Sequence, residues 1–153
     1  MDITPDYSVR LNGFGGRRTE SEGITQRIWA KALAFGDEHL GPALLITTDN
    51  LGVSDEITRE IASRLARKAG LKRERLSITA SHSHTAPMLK NVAPTIFGTA
   101  IPPEHQANID RYTREFIDKL EQVALAAIAD IRPSRLTWGI GTAKFAMCHS
   151  KTR

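Results

Sequence analysis

Ala43-Leu44-Leu45-Ile46-Thr47-Thr48, then the segment from Ser54 to Gly70, then Leu76-Ser77-Ile78-Thr79-Ala80 are the stretches whose reading decides the fold. The first run is wholly apolar or β-branched, the pattern expected of a strand buried on both faces. Within the second, Ser54 predicts an N-cap, Asp55 and Glu56 complement the helix dipole, and Gly70 supplies the stop. Ile57, Ile61, Leu65 and Ala69 recur at steps of four and form one apolar stripe. The third run is a short strand. Strand, helix and strand with short connections make a βαβ unit, so the two strands run parallel through a right-handed crossover.

Working outward, Arg27 to Phe35 alternates Ile28, Ala30, Ala32 and Ala34 with Trp29, Lys31 and Leu33. That is a strand, joined to 43–48 as an antiparallel hairpin through the turn 36–42. Residues 5–23, rich in Gly and polar side chains, read as a loop. Lys90 to Pro103 carries three prolines and reads as an irregular connection. From Glu104 to Ala129 a long helix is expected, since Ile109, Tyr112, Phe116, Leu120, Val123, Ala127 and Ile131 repeat at three or four before Arg132-Pro133. Arg135 to Ile140 is a last strand candidate, and Trp138 and Phe116 are expected in the core. The fold class is α/β, a mixed sheet with a βαβ unit and two main helices, in a single domain over 1–153.

Bulk composition narrows the function. With 153 residues, 41% apolar and 25% charged, the chain has the profile of a soluble globular domain. No apolar run approaches the ~20 residues a membrane-spanning helix needs. Met1-Asp2-Ile3-Thr4-Pro5 lacks the layout of a secretory signal, so the expected location is cytoplasmic. Net charge is +4, but the basic residues are scattered apart from Arg17-Arg18 and Lys72-Arg73-Arg75. No nucleic-acid partner is therefore expected. The lone Cys148 excludes an internal disulfide and a thiolate cluster, leaving His, Asp, Glu or Tyr as metal donors.

In open sheets with βαβ connections, sites collect beyond the carboxyl ends of the parallel strands. Asp49-Asn50 ends the strand 43–48, and His82 and His84 end the strand 76–80, so the topology puts them on one sheet edge. The motif is Ser81-His82-Ser83-His84-Thr85-Ala86-Pro87. In extended backbone, residues i and i+2 point the same way, which lets both imidazoles face one cavity. Neutral imidazole is a good zinc ligand. The competing reading is a polar loop whose histidines bond to water. Other candidates carry less. Asn12-Gly13-Phe14-Gly15-Gly16 lacks the Lys-Ser/Thr of a phosphate loop and reads as a tight turn. Ser83 lacks a nucleophile elbow. His39 and His105 read as surface residues. Cys148 and His149 are close enough to share a metal but lie in a terminal segment.

These residues resemble the N-terminal catalytic region of the neutral/alkaline non-lysosomal ceramidases. The resemblance runs from Asp2-Ile3-Thr4-Pro5 through Gly13-Phe14-Gly15, the segment Gly23 to Leu33 and Thr48-Asp49-Asn50-Leu51-Gly52. Its most specific part is the motif at 81–87, similar to the family's Thr/Ser-His-Thr-His-Ser/Thr-Gly/Ala-Pro. The resemblance implies a part of a larger catalytic domain and a Zn2+-dependent amidohydrolase that cleaves the N-acyl bond of N-acylsphingosine. It further implies His82 as a metal ligand, His84 as a catalytic substrate contact and Asp49 in a supporting catalytic role.

The family's remaining donors, another His with Glu and Tyr, lie beyond this sequence, so the resemblance implies a truncated member or fragment. A second chain or downstream segment would then complete the site. Thr25 stands where many members have His, and the tail from Phe145 departs from the family pattern. Besides the ceramide-type amidase, other readings stay open. One is a metal hydrolase for another small-molecule amide or lipid, its site built by dimerisation in one version. Another is a non-catalytic α/β binding module that keeps the fold.

Overall fold

The structure is a computed structural model that describes residues 1–37 and 39–142. Five main elements follow one another: β1 (Ala30–Asp37), β2 (Gly41–Thr48), α1 (Asp55–Ala69), β3 (Leu76–Ala80) and α2 (Pro103–Ala129). β1 pairs antiparallel with β2, with Ala30 opposite Thr48 and Asp37 opposite Gly41. β2 pairs parallel with β3, with Leu44 opposite Leu76 and Thr48 opposite Ala80. The three-stranded order β1-β2-β3 is the mixed sheet with a βαβ unit that the sequence predicts.

Local chemistry accounts for the helix limits. The Ser54 hydroxyl accepts from the Ile57 amide at 3.3 Å, satisfying one of the amides that a helix start leaves unpaired. Gly70 closes α1 at φ 63°, its amide bonding to the Ala66 carbonyl at 3.1 Å. α2 begins at Pro103, whose missing N–H is no loss at the first helical position.

Both helices cover one face of the sheet. Register places Ala30, Ala32, Ala34, Leu44, Ile46, Thr48, Leu76 and Ile78 on that face, and Ile46 is fully buried. They meet Ile57, Ile61 and Leu65 of α1 and Ile109, Tyr112, Phe116 and Leu120 of α2 in one cluster. Each such Leu or Ile stabilises the fold by roughly 1.5–3 kcal/mol relative to an exposed side chain. Among the ion pairs, Glu121 on α2 joins Arg64 and Lys68 on α1, with Arg64 Nη1 at 3.2 Å. None of the described helices is long and apolar enough to cross a membrane.

Five expectations are corrected. β2 is not buried on both faces: Leu44, Ile46 and Thr48 are covered, Leu45 is half-buried and Thr47 is exposed. On the same outer face Leu33 is 54% and Phe35 48% exposed. β1 starts at Ala30 and not at Arg27: Ile28 lies beside the N-terminal segment, Ile3 N–H donating to the Ile28 carbonyl and the Met1 ammonium to that of Ala30. Arg135 to Ile140 forms no strand: Leu136 and Ile140 are exposed and no ladder partner lies beside them among the described residues. Trp138 is 87% exposed and outside the core, whereas Phe116 is fully buried as expected. Ile131 lies past the helix end and is exposed.

Candidate functional site

Parallel pairing brings the ends of β2 and β3 side by side, and the chain continues the contact past both strands. Ser81 N–H donates to the Thr48 carbonyl at 2.9 Å, and Ser83 N–H to the Asn50 carbonyl at 3.0 Å. Between them His82 takes a left-handed backbone with φ 61°. For a residue with a Cβ this conformation costs on the order of 1 kcal/mol. The extended backbone expected through His-x-His is therefore broken at its first histidine. The two imidazoles nevertheless lie edge to face, 4.9 Å between centroids.

The orientation of His82 is fixed by one bond. Its Nδ1 lies 2.9 Å from the Leu51 carbonyl oxygen. A carbonyl only accepts, so Nδ1 carries the proton and Nε2 keeps its lone pair. Histidine metal ligands are commonly oriented this way, the second ring nitrogen donating to a backbone carbonyl. His82 is exposed.

His84 is held by the N-terminal loop. Its ring meets Phe14 edge to face at 5.0 Å, and its carbonyl accepts from Arg17 Nη1 at 2.8 Å. Arg17 in turn sits over the Phe14 ring, 5.0 Å from its centroid. Gly13, at φ 97°, allows the close approach, since a Cβ there would stand 2.5 Å from His84 Cγ. The loop is pinned by Asn12, fully buried, whose Nδ2 donates to the Val92 carbonyl and whose Oδ1 accepts from the Gly13 amide, both at 2.8 Å. The tight turn read at 12–16 is thus also the wall against which His84 packs. Phe14 and Arg17 went unrecognised as site residues in the sequence, where Arg17 stood only as half of the Arg17-Arg18 basic cluster.

Asp49 stands at the same sheet edge but faces β1. Its Oδ2 accepts from the Trp29 amide at 2.9 Å, and its own amide donates to the Trp29 carbonyl at 3.0 Å. No hydrogen bond joins it to either histidine among the described residues. Asn50 is buried, as is Tyr112 of α2. Burial pushes the Tyr112 phenol above its ordinary value, and the Asn50 amide offsets part of that rise. His39 is exposed as expected, while His105 is half-buried with Nδ1 unpaired. Cys148 and His149 lie outside the described residues.

Among the described residues, no three His, Cys, Asp or Glu side chains are grouped to share a metal. His82 fits as a single ligand, and the described residues do not complete a three-donor zinc site. A cavity of about 500 Å³ opens between α1 and α2 beside Lys90, and one of about 850 Å³ lies under the N-terminal loop. Thr85, Pro87 and Thr25 line the larger one, but neither His82 nor His84 does.

The family description "Neutral/alkaline non-lysosomal ceramidase, N-terminal" matches residues 1–143. The chain belongs to this ceramidase family. Its fold is also similar to neutral ceramidase from Pseudomonas aeruginosa, at TM-score 0.62 and 18% identity, over 84% of this chain and 20% of that one. A second similar structure is a ceramidase complexed with C2, at TM-score 0.60 and 19% identity, over 82% of this chain and 20% of that chain. This ceramidase-family chain thus spans about a fifth of the length of the solved ceramidases it matches. No match is found among curated protein sequences.

Proposed function

We propose that this ceramidase-family chain carries one part of a zinc-dependent amidohydrolase site, with an N-acylsphingosine-type lipid amide as substrate. The observation that carries the reading is the exposed His82, whose Nδ1–H is tied to the Leu51 carbonyl, which leaves Nε2 as the ring's donor atom. His82 would hold the metal. His84, clamped by Gly13, Phe14 and Arg17, would orient the polar group around the scissile amide. Asp49 supports the edge by fixing the start of β1 to the end of β2. With zinc bound, the chemistry supplied is Lewis-acid polarisation of an amide carbonyl and activation of water. The remaining donors come from a second chain or a further segment.

A second reading is a non-catalytic α/β module that keeps the fold and binds a partner. Metal analysis of purified protein separates the two. Zinc retained by the chain with its completing polypeptide and lost in His82→Ala supports the amidohydrolase. Metal-free protein, indifferent to His82→Ala in every assay, favours the module. Hydrolysis of a fluorescent N-acylsphingosine by this chain alone would overturn the claim that its site is incomplete.

A further inference from the structure

Arg10 is 2% exposed, although its guanidinium stays charged at every working pH. Burying an ion is costly unless pairing offsets the lost hydration. Among the described residues its only side-chain hydrogen bond runs from Nη2 to the Arg17 carbonyl, at 3.0 Å, and Nε has no partner. The group lies over the buried Phe97 ring, 4.0 Å from Cζ to the centroid, a cation–π contact that offsets part of the cost. A methionine would fill such a space with no charge to desolvate. What sets Arg10 apart is its one directed bond.

Both ends of that bond are defined. The Arg10 carbonyl accepts from the Met88 amide at 2.7 Å, and its chain is bridged antiparallel to Glu20. At the other end the Arg17 amide donates to the Phe14 carbonyl at 3.1 Å and closes a turn over 14–17. Gly15 and Gly16 leave this turn little stiffness of its own. Among the described residues, no side chain other than Arg10 bonds to its backbone. From the turn, Arg17 Nη1 reaches the His84 carbonyl at 2.8 Å, and Phe14 meets the His84 ring edge to face.

We infer that Arg10 is a positioning residue for His84: its Nη2–H, donated to the Arg17 carbonyl, fixes the 14–17 turn so that Arg17 and Phe14 clamp the histidine. The use of that clamp rests on the proposed role of His84 as a substrate contact, but the clamp itself does not.

The test is carbon-edited NMR of the histidine rings in the full chain, at one fixed pH above the imidazole titration range. The Phe14 ring current displaces the His84 signals from those of a free imidazole, so they report the clamp, and Arg17→Ala supplies the unclamped reference. Arg10→Met keeps the bulk of the stem and removes the donor. It is expected to move the His84 ring towards the Arg17→Ala position, the clamped-to-unclamped ratio falling roughly tenfold, as for loss of one hydrogen bond from a charged donor. His82, tied to Leu51, keeps its signals. Arg10→Lys keeps the charge near Phe97 but lacks the fork that reaches the carbonyl; it shifts His84 in the same direction and serves if Arg10→Met does not fold. Arg18→Ala is the control, since Arg18 bonds to the Phe97 carbonyl at 3.4 Å and not to the turn, and it should leave His84 in place. An unmoved His84 in the folded variant overturns the inference. So does an equal shift in Arg18→Ala, because the charge of the loop would then place His84 and not the bond. Titration with a short-chain N-acylsphingosine keeps the two ideas apart: a His84 that follows Arg10 yet ignores the amide refutes the substrate-contact role and leaves this inference standing.

Discussion

Replacing Gly13 with alanine tests the wall behind His84, and two other glycines supply the controls. Gly13 combines φ 97° with a neighbour: an added Cβ would lie 2.5 Å from Cγ, 2.7 Å from Cβ and 2.8 Å from Cα of His84. The last contact is to backbone, so a side-chain rotation does not relieve it. Gly41 has φ 71° with nothing within 4 Å, so Gly41→Ala isolates the backbone cost. Gly16 has neither feature. Left-handed backbone costs about 1–2 kcal/mol for a residue with a Cβ, and forced overpacking adds about 1–3 kcal/mol. Gly13→Ala should therefore destabilise by about 2–5 kcal/mol, against about 1–2 for Gly41→Ala. Gly16→Ala should be neutral or stabilising by up to about 1 kcal/mol, through the unfolded chain. Urea unfolding gives the three values, and at about 2–4 °C per kcal/mol thermal melts should separate Gly13→Ala clearly from the others. If Gly13→Ala and Gly41→Ala agree within about 0.5 kcal/mol, the margin for independent sites, the steric part is absent and the loop does not pack on His84.

Other consequences follow from the electrostatics and exposure. The Thr4 hydroxyl and amide, aided by Arg27, hold the Asp2 carboxyl down from 3.8 to about 2. A group depressed on folding contributes stability above its unfolded value and loses it as pH falls through the folded one. Urea midpoints should therefore drop as pH falls from about 4 towards 2, and Asp2→Asn should flatten that limb; identical acid limbs would exclude Asp2 as a contributor. Glu121, at 8% side-chain exposure, is held below its ordinary value chiefly by Lys68 and then by Arg64. Glu121→Gln should cost about 1–3 kcal/mol in urea unfolding, and a neutral result would show that the α1–α2 charge cluster contributes nothing. Both tryptophans are open to water, Trp29 at 44% and Trp138 at 87%. Their emission should be that of solvated indole and readily quenched by acrylamide; protected, blue-shifted emission would contradict the exposed placement.

The βαβ core was legible because its signals are local. Ser54, the four-step apolar stripe and Gly70 each act within one helix, and short connections leave a single handed topology. Pairing with distant segments left weaker traces. Residues 28–29 alternate like the rest of β1, yet Ile28 and Ala30 bond to Ile3 and Met1 around the Asp2–Trp29 bridge, which no periodicity reveals. The alternation of Leu136, Trp138 and Ile140 expresses β-propensity, and a strand also needs a partner ladder, which these residues lack among those described. Residues 43–48 look equally apolar whether one layer or two covers them, so composition overstated the burial of β2.

The site was legible to the same depth and failed for a related reason. Topology alone brought His82 and His84 to the edge where Asp49 stands, because neighbouring parallel strands end together. What it left out were contacts made by atoms that every residue possesses. The Leu51 carbonyl decides which nitrogen of His82 carries its proton, and no side-chain pattern marks a carbonyl. The His84 carbonyl receives Arg17, which the sequence marked only as half of a basic pair. Gly13 is informative because of what it lacks: its missing Cβ is the space that His84 occupies. The candidate site is therefore built from three segments, 12–17, 49–51 and 81–87, and the first of these serves to hold His84 in place. Arg17→Ala would remove the donor to the His84 carbonyl and the cation over Phe14 while leaving the Gly13 contact intact. The resulting freedom should appear in the ring of His84 and leave the His82–Leu51 bond unchanged, since the two histidines are anchored by different parts of the chain.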